Sequence, residues 1–465
     1  MKSAPNKKTA IFESAPVPKA LAIMAIPMVL SQVIILAYNL ADTHFIGRAD
    51  NPFMVGAVSL VLGLYLMLVA IANLFGVGGG NLMVRLLGIN DEEEARKVCS
   101  YSIMFALIVS IVFSLLCLAL SEPLLRMLGA NDNTLGYAKE YLICTIVIGG
   151  VPTVLAMAMP MLLRSVGYSK EAGLGVIIGG VLNIVLDPLF MFVILPDGKQ
   201  VLGAGLATMI SNFVAAIYFI VMFIVLRKKS VLTLPTRFEK LRKESLVSFY
   251  TVGIPAALIM IFFNLLAVVL NRLASSYDEI TLAAAGILLK VERIPQNITL
   301  GVCLAMVPCI GYNYARKNSK RMDRFFVAAM VCVLTISIIS GIIFAAIPEQ
   351  IVRLFIKNAE TVALGAKFLR TRSISIPFMA VGFLVINYTQ AVNRGKVSFL
   401  LSIIRHIALS IPMMLIFNWI WGIDGLMWSQ TVADVINVGI SLSIFFVTRK
   451  KIMTREMMAK NEEKQ

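Results

Sequence analysis

Residues 20–46 read ALAIMAIPMVLSQVIILAYNLADTHFI, a stretch with a single acid, Asp42, and no lysine or arginine. A helix crossing the hydrocarbon core needs about 20 predominantly apolar residues, so this segment is long enough to span. It is too long for a signal-peptide core and carries no small-residue cleavage pattern, so it is expected to persist as the first span. Segments of the same kind recur along the chain, near 19–47, 53–80, 97–121, 135–163, 171–195 and 202–226. A second set follows near 246–274, 281–310, 325–347, 361–391, 397–420 and 424–448. Open strand edges cannot be left in hydrocarbon, so all of these are predicted to be helices.

Composition agrees with this reading. The 465 residues are 59% hydrophobic and 15% charged, whereas soluble domains run near 45–50% apolar and about 25% charged. No stretch is long and polar enough to form a separate soluble domain. The expected fold class is an all-α polytopic membrane protein, with twelve transmembrane helices in two pseudo-symmetric six-helix bundles. The expected boundaries are a cytoplasmic tail at 1–18, an N-terminal bundle at 19–226 and a cytoplasmic linker at 227–245. A C-terminal bundle at 246–448 and a cytoplasmic tail at 449–465 complete the chain.

The formal net charge of +16 does not point to nucleic acid, because the basic residues lie in short runs between apolar segments. With both termini on one side, the connections on that side hold about 29 of the 42 lysines and arginines and the opposite ones about 10. Lys290, Arg293 and Arg405 are left inside spans. This bias places both termini and the central loop in the cytoplasm. The expectation is a multi-pass protein of the cell (inner) membrane, with lipid around it, no nucleic-acid partner and function as a monomer. The six cysteines are scattered, with no CxxC pair, and read as small packing residues. His44 and His406 are too far apart in sequence to suggest zinc.

The two halves superimpose at a shift of about 227 residues. Ile26-Pro27 meets Ile254-Pro255, while Glu122, Arg126 and Asn131 meet Glu349, Arg353 and Asn358. Pro152 meets Pro377, Pro188 meets Pro412, and the Arg-Lys-Lys run at 227–229 meets that at 449–451. Each repeat holds an even number of spans, so both enter the membrane in the same direction. Parallel repeats of this type build a cavity between two bundles, the usual machinery of alternating access.

Acids at membrane depth carry the functional signal. A carboxylate at a helix centre costs about 2.5–3.5 kcal/mol even on the lenient insertion scale, so it is expected to face a partner or water. Asp42 lies in the first span and Asp187 in the fifth. Asn183 and Asp187 are four apart on one helical face, and Pro188 cannot donate to the Ile184 carbonyl. An amide, a carboxylate and a carbonyl together suit Na⁺ or a proton. Tyr38 shares a face with Asp42, and Asn39 and Thr43 lie beside them. Neither aspartate has an acidic counterpart in the second repeat, so their chemistry belongs to the first. The second repeat has Lys290, Glu292 and Arg293 in its eighth span, read as part of a self-neutralising arrangement, and Asp434 is expected to pair with Arg405. Pro27, Pro188 and Pro255 are expected kink points. With 25 Met and 26 Phe, the walls suit cationic or amphipathic ligands.

These residues resemble the multidrug and toxic compound extrusion (MATE) family, its MepA-like bacterial branch above all, over roughly 15–450. The resemblance rests on Ile26-Pro27-Met28, Tyr38-Asn39-Leu40-Ala41-Asp42-Thr43, Leu182–Pro188, Gly203–Thr208 and Val307–Tyr314. It implies a secondary active antiporter, not an enzyme, that exports small cationic or amphipathic drugs and dyes in exchange for Na⁺ or H⁺. That activity brings antibiotic resistance and needs no cofactor beyond the coupling ion. In the family, positions matching Asp42, Asn183 and Asp187 bind Na⁺ or H⁺, with a threonine matched by Thr208. Tyr38, Asn39 and Glu292 are the expected substrate-cavity residues. Some branches carry a seventh-span acid that is missing here, and Glu292 is the residue that would stand in for it. The competing reading is a flippase for lipid-linked saccharides on a related double bundle. The spans show no HExxH, GxSxG or metal-ligand cluster, which speaks against a membrane-embedded enzyme.

Overall fold

The computed structural model describes residues 10–48 and 51–462 and is helical almost throughout, with no strand among those residues. The first repeat comprises α1 (Val17–Gly47), α2 (Pro52–Gly88), α3 (Glu92–Ala119), α4, α5 (Ser169–Leu189) and α6 (Gln200–Leu226). The second comprises α7 (Lys243–Ser275), α8 (Glu279–Ala315), α9 (Ser319–Ala346), α10 (Ala359–Ala391), α11 and α12. Among the described residues, ten helices are long and apolar enough to cross a membrane as they stand. The fourth span adds to these as two arms, Asp132–Ile148 and Gly150–Ser165, bent by 50° at Gly149. The last helical stretch, Gly395–Met458, is two spans joined at Gly422, whose φ of 59° and ψ of −136° no α-helix contains. It therefore divides into α11 (395–421) and α12 (423–462), and the spans number twelve.

The fourth span differs from its sequence reading as one helix over 135–163. A wide turn at Ile143–Ile148 runs into Gly149, whose backbone a side chain would crowd: a Cβ there would meet the Cys144 carbonyl oxygen at 2.5 Å. Other wide turns sit at Phe190–Ile194, directly after Pro188, and at Ile404–Ser410. These follow the chemistry of each site, since a proline removes one backbone donor and the ladder shifts to compensate.

The duplication is written into the backbone. α2 and α8 are each 37 residues long, and α3 and α9 are each 28. Asp91 and Asn318, 227 apart, cap α3 and α9, each accepting from the backbone N–H three residues on. Asn131 and Asn358 repeat this at the same spacing for α4 and α10. Asn90 and Lys317, also 227 apart, both adopt positive φ, 60° and 54°. Side-chain caps satisfy N–H groups that a helix start otherwise leaves orphaned.

Two compact units emerge, one running from Ile26 to Ala257, the other from Leu258 on and including Ala15–Ala25. The chain passes from one unit to the other inside α1, next to Pro27, and inside α7, just after Pro255. The linker after α6 stays with the first unit. Its Ser230, Val231 and Leu232 are buried, Arg242 donates its backbone N–H to Glu94 Oε1 at 3.0 Å, and its guanidinium contacts the Asp91 carboxylate. The expected tail at 1–18 is described only from residue 10, where Ala10–Glu13 forms a single helical turn, and the tail at 449–465 is described to 462, as a continuation of α12. Outer faces carry exposed Leu115, Ile217, Val268 and Ile342, as lipid contact requires.

Small residues set how closely the helices approach. A Cβ on Gly341 of α9 would meet the Ser373 carbonyl oxygen of α10 at 2.9 Å, whereas one on Gly439 of α12 would meet nothing within 4 Å. Gly341→Ala is expected to destabilise the second unit by about 1–3 kcal/mol through overpacking. Gly439→Ala is expected to be neutral or to stabilise by up to about 1 kcal/mol from helix propensity. Thermal melts of the purified variants in detergent, read side by side, check the contrast.

Candidate functional site

The face of α5 that carries Asp187 begins with glycine. Gly173, Gly180 and Asp187 recur every seven residues and so lie along one stripe. A Cβ at Gly173 would meet the Pro27 carbonyl oxygen of α1 at 2.8 Å, and one at Gly180 would meet Ile34 at 2.5 Å and Tyr38 at 3.4 Å. Bare backbone on α5 therefore lets α1 lie against it. On another face, Gly175 and Gly179 do the same for α6, where they meet Phe219 and Ala215. These two approaches bring polar groups of α1, α5 and α6 together.

Asp187 is fully buried and Asn183 is 5% exposed. The Asn183 amide nitrogen lies 3.4 Å from both Asp187 Oδ1 and Thr208 Oγ1, so one side chain bridges α5 to α6. Asp42 lies within electrostatic reach of Asp187. Tyr38 and Tyr65 lie within the same reach of Asp42, and Tyr141 within reach of both acids. On the far wall, the Asn212 amide donates to Thr153 Oγ1 at 2.9 Å, linking α6 to α4. Asp42 Oδ1, Asn183 Oδ1 and Asp187 Oδ2 are buried and accept no hydrogen bond. Buried acceptors normally have partners. Three unpartnered oxygens from two facing helices form a hard-oxygen set that fits a monovalent cation or a proton.

Of the four expected coupling residues, Asn183 thus touches Asp187 and Thr208, and Asp42 lies within electrostatic reach of Asp187. Tyr38 joins them. Asn39 does not: it is exposed, and its amide donates to the Ile35 carbonyl at 2.7 Å on its own helix. Thr43 is likewise exposed and bonds back to the Asn39 carbonyl at 2.8 Å. Of the expected kink points, Pro27 and Pro255 lie inside α1 and α7, and Pro188 lies at the end of α5. Tyr65 and Tyr141 were not singled out by the sequence reading, because a lone tyrosine in an apolar run carries no spacing signal.

Glu292 sits elsewhere, in the second unit. Its carboxylate is bound by the Arg372 guanidinium and accepts from the Gln296 amide at 3.0 Å. Arg372 also reaches Asp434 at 3.2 Å, and Asp434 is held by Arg405 at 3.1 Å. Two acids and two arginines, each at most 6% exposed, form one neutral chain across α8, α10, α12 and α11. The sequence reading joined Asp434 to Arg405 and left the partner of Glu292 open. That partner, Arg372, lies well inside α10. Lys290 is exposed and not part of this chain. Among the described residues no group of three histidine, cysteine or acidic side chains is placed to hold a metal ion.

With this geometry established, comparison with known proteins places the chain. The MatE family model matches twice, over residues 27–189 and 255–416, so the two matches repeat at the same shift as the duplication. The multidrug export protein MepA of Staphylococcus saprophyticus is 29% identical over 442 residues, covering 95% of this chain and 96% of its own. MepA from a Staphylococcus aureus strain gives the same identity and coverage. Among solved structures, an outward-facing multidrug resistance MATE family transporter of the MOP superfamily superimposes with a TM-score of 0.88 at 21% identity, covering 97% of this chain and 99% of the other. A MOP superfamily transporter from Pyrococcus furiosus gives 0.89 at 21% identity, over 97% and 99%. At such identities these two establish the fold.

The ion chain of the second unit makes a clear prediction. Removing one partner of a buried charge pair leaves the other uncompensated and costs about 3–5 kcal/mol. Arg372→Met is expected to lower the melting temperature sharply. Arg372→Met combined with Glu292→Met is expected to recover part of that loss, read as thermal melts in detergent.

Proposed function

The chain belongs to the MatE family, whose members are transporters and not enzymes, and on that premise we propose that it is a multidrug efflux antiporter driven by Na⁺ or H⁺. Cargo is a small cationic or amphipathic drug or dye, as the name of the MepA relatives indicates for those proteins. The protein works by alternating access in the cell (inner) membrane, with both termini in the cytoplasm, and needs no cofactor beyond the coupling ion.

The observation that carries the coupling is the set of unpartnered oxygens on Asp42, Asn183 and Asp187. Two carboxylates within reach of each other in a poorly hydrated interior repel, and one shared cation relieves both. Asp42 belongs to α1 and Asp187 to α5, so a cation bound between them ties the two helices. Loss of the cation lets them part. Such a ligand shifts the balance of two conformations only by its difference in affinity for them. A cation held by both helices when they are close, and by one when they separate, meets that condition. Thr208 joins the set through its contact with the Asn183 amide, and Tyr38 lines the chamber that cargo would share. Pro27 lies in the helix that must move, packed against Gly173.

Proteoliposomes loaded with ethidium test this. Dye efflux is expected under an inward Na⁺ gradient alone or an inward proton gradient alone. Asp187→Asn, and separately Asp42→Asn, should reduce it at least about tenfold, the scale of a lost charge-assisted contact of about 1.5–3 kcal/mol, with membrane expression unchanged. Efflux from both variants at the unmodified rate would defeat the assignment of these acids. Efflux under neither gradient would defeat the antiport reading itself.

A further inference from the structure

The second unit carries a cavity whose lining includes neither Asp42 nor Asp187. Its volume is about 60 Å³, room for a few water-sized groups at about 10–15 Å³ each. Its lining includes apolar Leu288 and Met414 and polar Glu292, Arg293, Arg405 and Gln430. Room of that size takes a small head group and a short stem, with any larger body left outside.

Charge selects the head group. Glu292 is occupied by Arg372, and Asp434, fully buried behind the lining, is occupied by Arg372 and Arg405. Arg293 makes no ion pair among the described residues and stands at a more exposed part of the lining. The count is two acids to three guanidiniums, one positive charge in excess. Arg405 is 5% exposed, its guanidinium lies 4.4 Å from the Phe383 ring centre, and its Nη1 is buried without an acceptor. Gln430 Nε2 is buried without an acceptor as well, while its Oε1 lies 3.4 Å from Ser410 Oγ. A buried donor left without an acceptor costs about 1–3 kcal/mol, more when charged. The cavity therefore presents unused donors and unused positive charge together with apolar contact. The excess of guanidiniums opposes a cation: Asp434 gives both oxygens to Arg372 and Arg405, and Glu292 gives Oε1 to Arg372 and Gln296.

We propose that this cavity binds the carboxylate of an amphipathic ligand. Arg405 and Arg293 supply the counter-charge, Gln430 an amide donor, and Leu288 and Met414 the contact for a short apolar stem. The proposal extends the export reading by adding acidic and zwitterionic amphipaths to the cargo, but the binding itself requires no transport.

The test uses the full-length protein in phosphatidylcholine nanodiscs, with no gradient, and 1-pyrenebutyrate as a fluorescent probe against its methyl ester. Signal from protein-free nanodiscs is subtracted. The acid should bind at least about tenfold more tightly than the ester, the scale of one charge-assisted contact. Arg293→Gln should remove most of that preference. Arg405→Lys should reduce it several-fold, since an ammonium keeps the charge and loses the planar fork. Should Arg405→Lys fail to fold, Arg293→Gln decides, because Arg293 stands outside the buried ion chain. Repeating the titration with phosphatidylserine in the nanodisc separates two sources: unchanged probe affinity assigns the site to free carboxylates, and weakened affinity to a lipid head group. Equal affinity of acid and ester, or an undiminished preference in both variants, overturns the proposal. Ethidium efflux from the unmodified protein is scored separately, so failure of this site and failure of the export reading are told apart.

Discussion

Charge kept inside a helical bundle at membrane depth must meet opposite charge or a donor, because neither lipid nor packed side chains can replace the lost water. The two repeats answer this demand in opposite ways. The second closes its charges on one another, Glu292 to Arg372 to Asp434 to Arg405, in a chain that sums to zero. The first leaves Asp42 and Asp187 each with a buried oxygen that accepts nothing from the protein. A closed chain confers a fixed shape. An open one confers a dependence on something from outside, and the proposed coupling ion is the simplest thing that satisfies it.

Duplication explains how one scaffold holds both answers. Caps, helix lengths and positive-φ turns recur at the same spacing, so the backbone was copied with its local instructions. The ionisable positions were not copied, and Asp42 and Asp187 meet no acid at the matching register. What each bundle does with charge is thus a property of a few side chains on a shared frame.

Much of the fold was legible because its signals are local. Twelve apolar runs, prolines at repeated positions and Asn or Asp before helix starts can be read without any contact information. The four-residue step from Asn183 to Asp187 was also on the page, whereas the role of Gly173 and Gly180 shows only when α1 is seen lying against them. What escaped depends on distant partners. Tyr65 and Tyr141 count only because α2 and α4 turn them toward the acids. Arg372 lies inside the expected span 361–391, but nothing in its spacing names Glu292 and Asp434 as the acids that enclose it. Asn39 fell the other way: one residue from Tyr38 on a helix is a turn of about 100°, enough to point it outward. The bend at Gly149 and the split at Gly422 carry no composition signal beyond a glycine.

The passage between the two compact units lies within α1 and α7, beside Pro27 and Pro255, and not in the surface linker, which is pinned to the first unit by Arg242. Slack connections absorb displacement and conceal it; a continuous rod cannot. At each crossing stands a ring that lacks an amide proton, so the hydrogen-bond ladder of both rods is one bond short where the chain changes units.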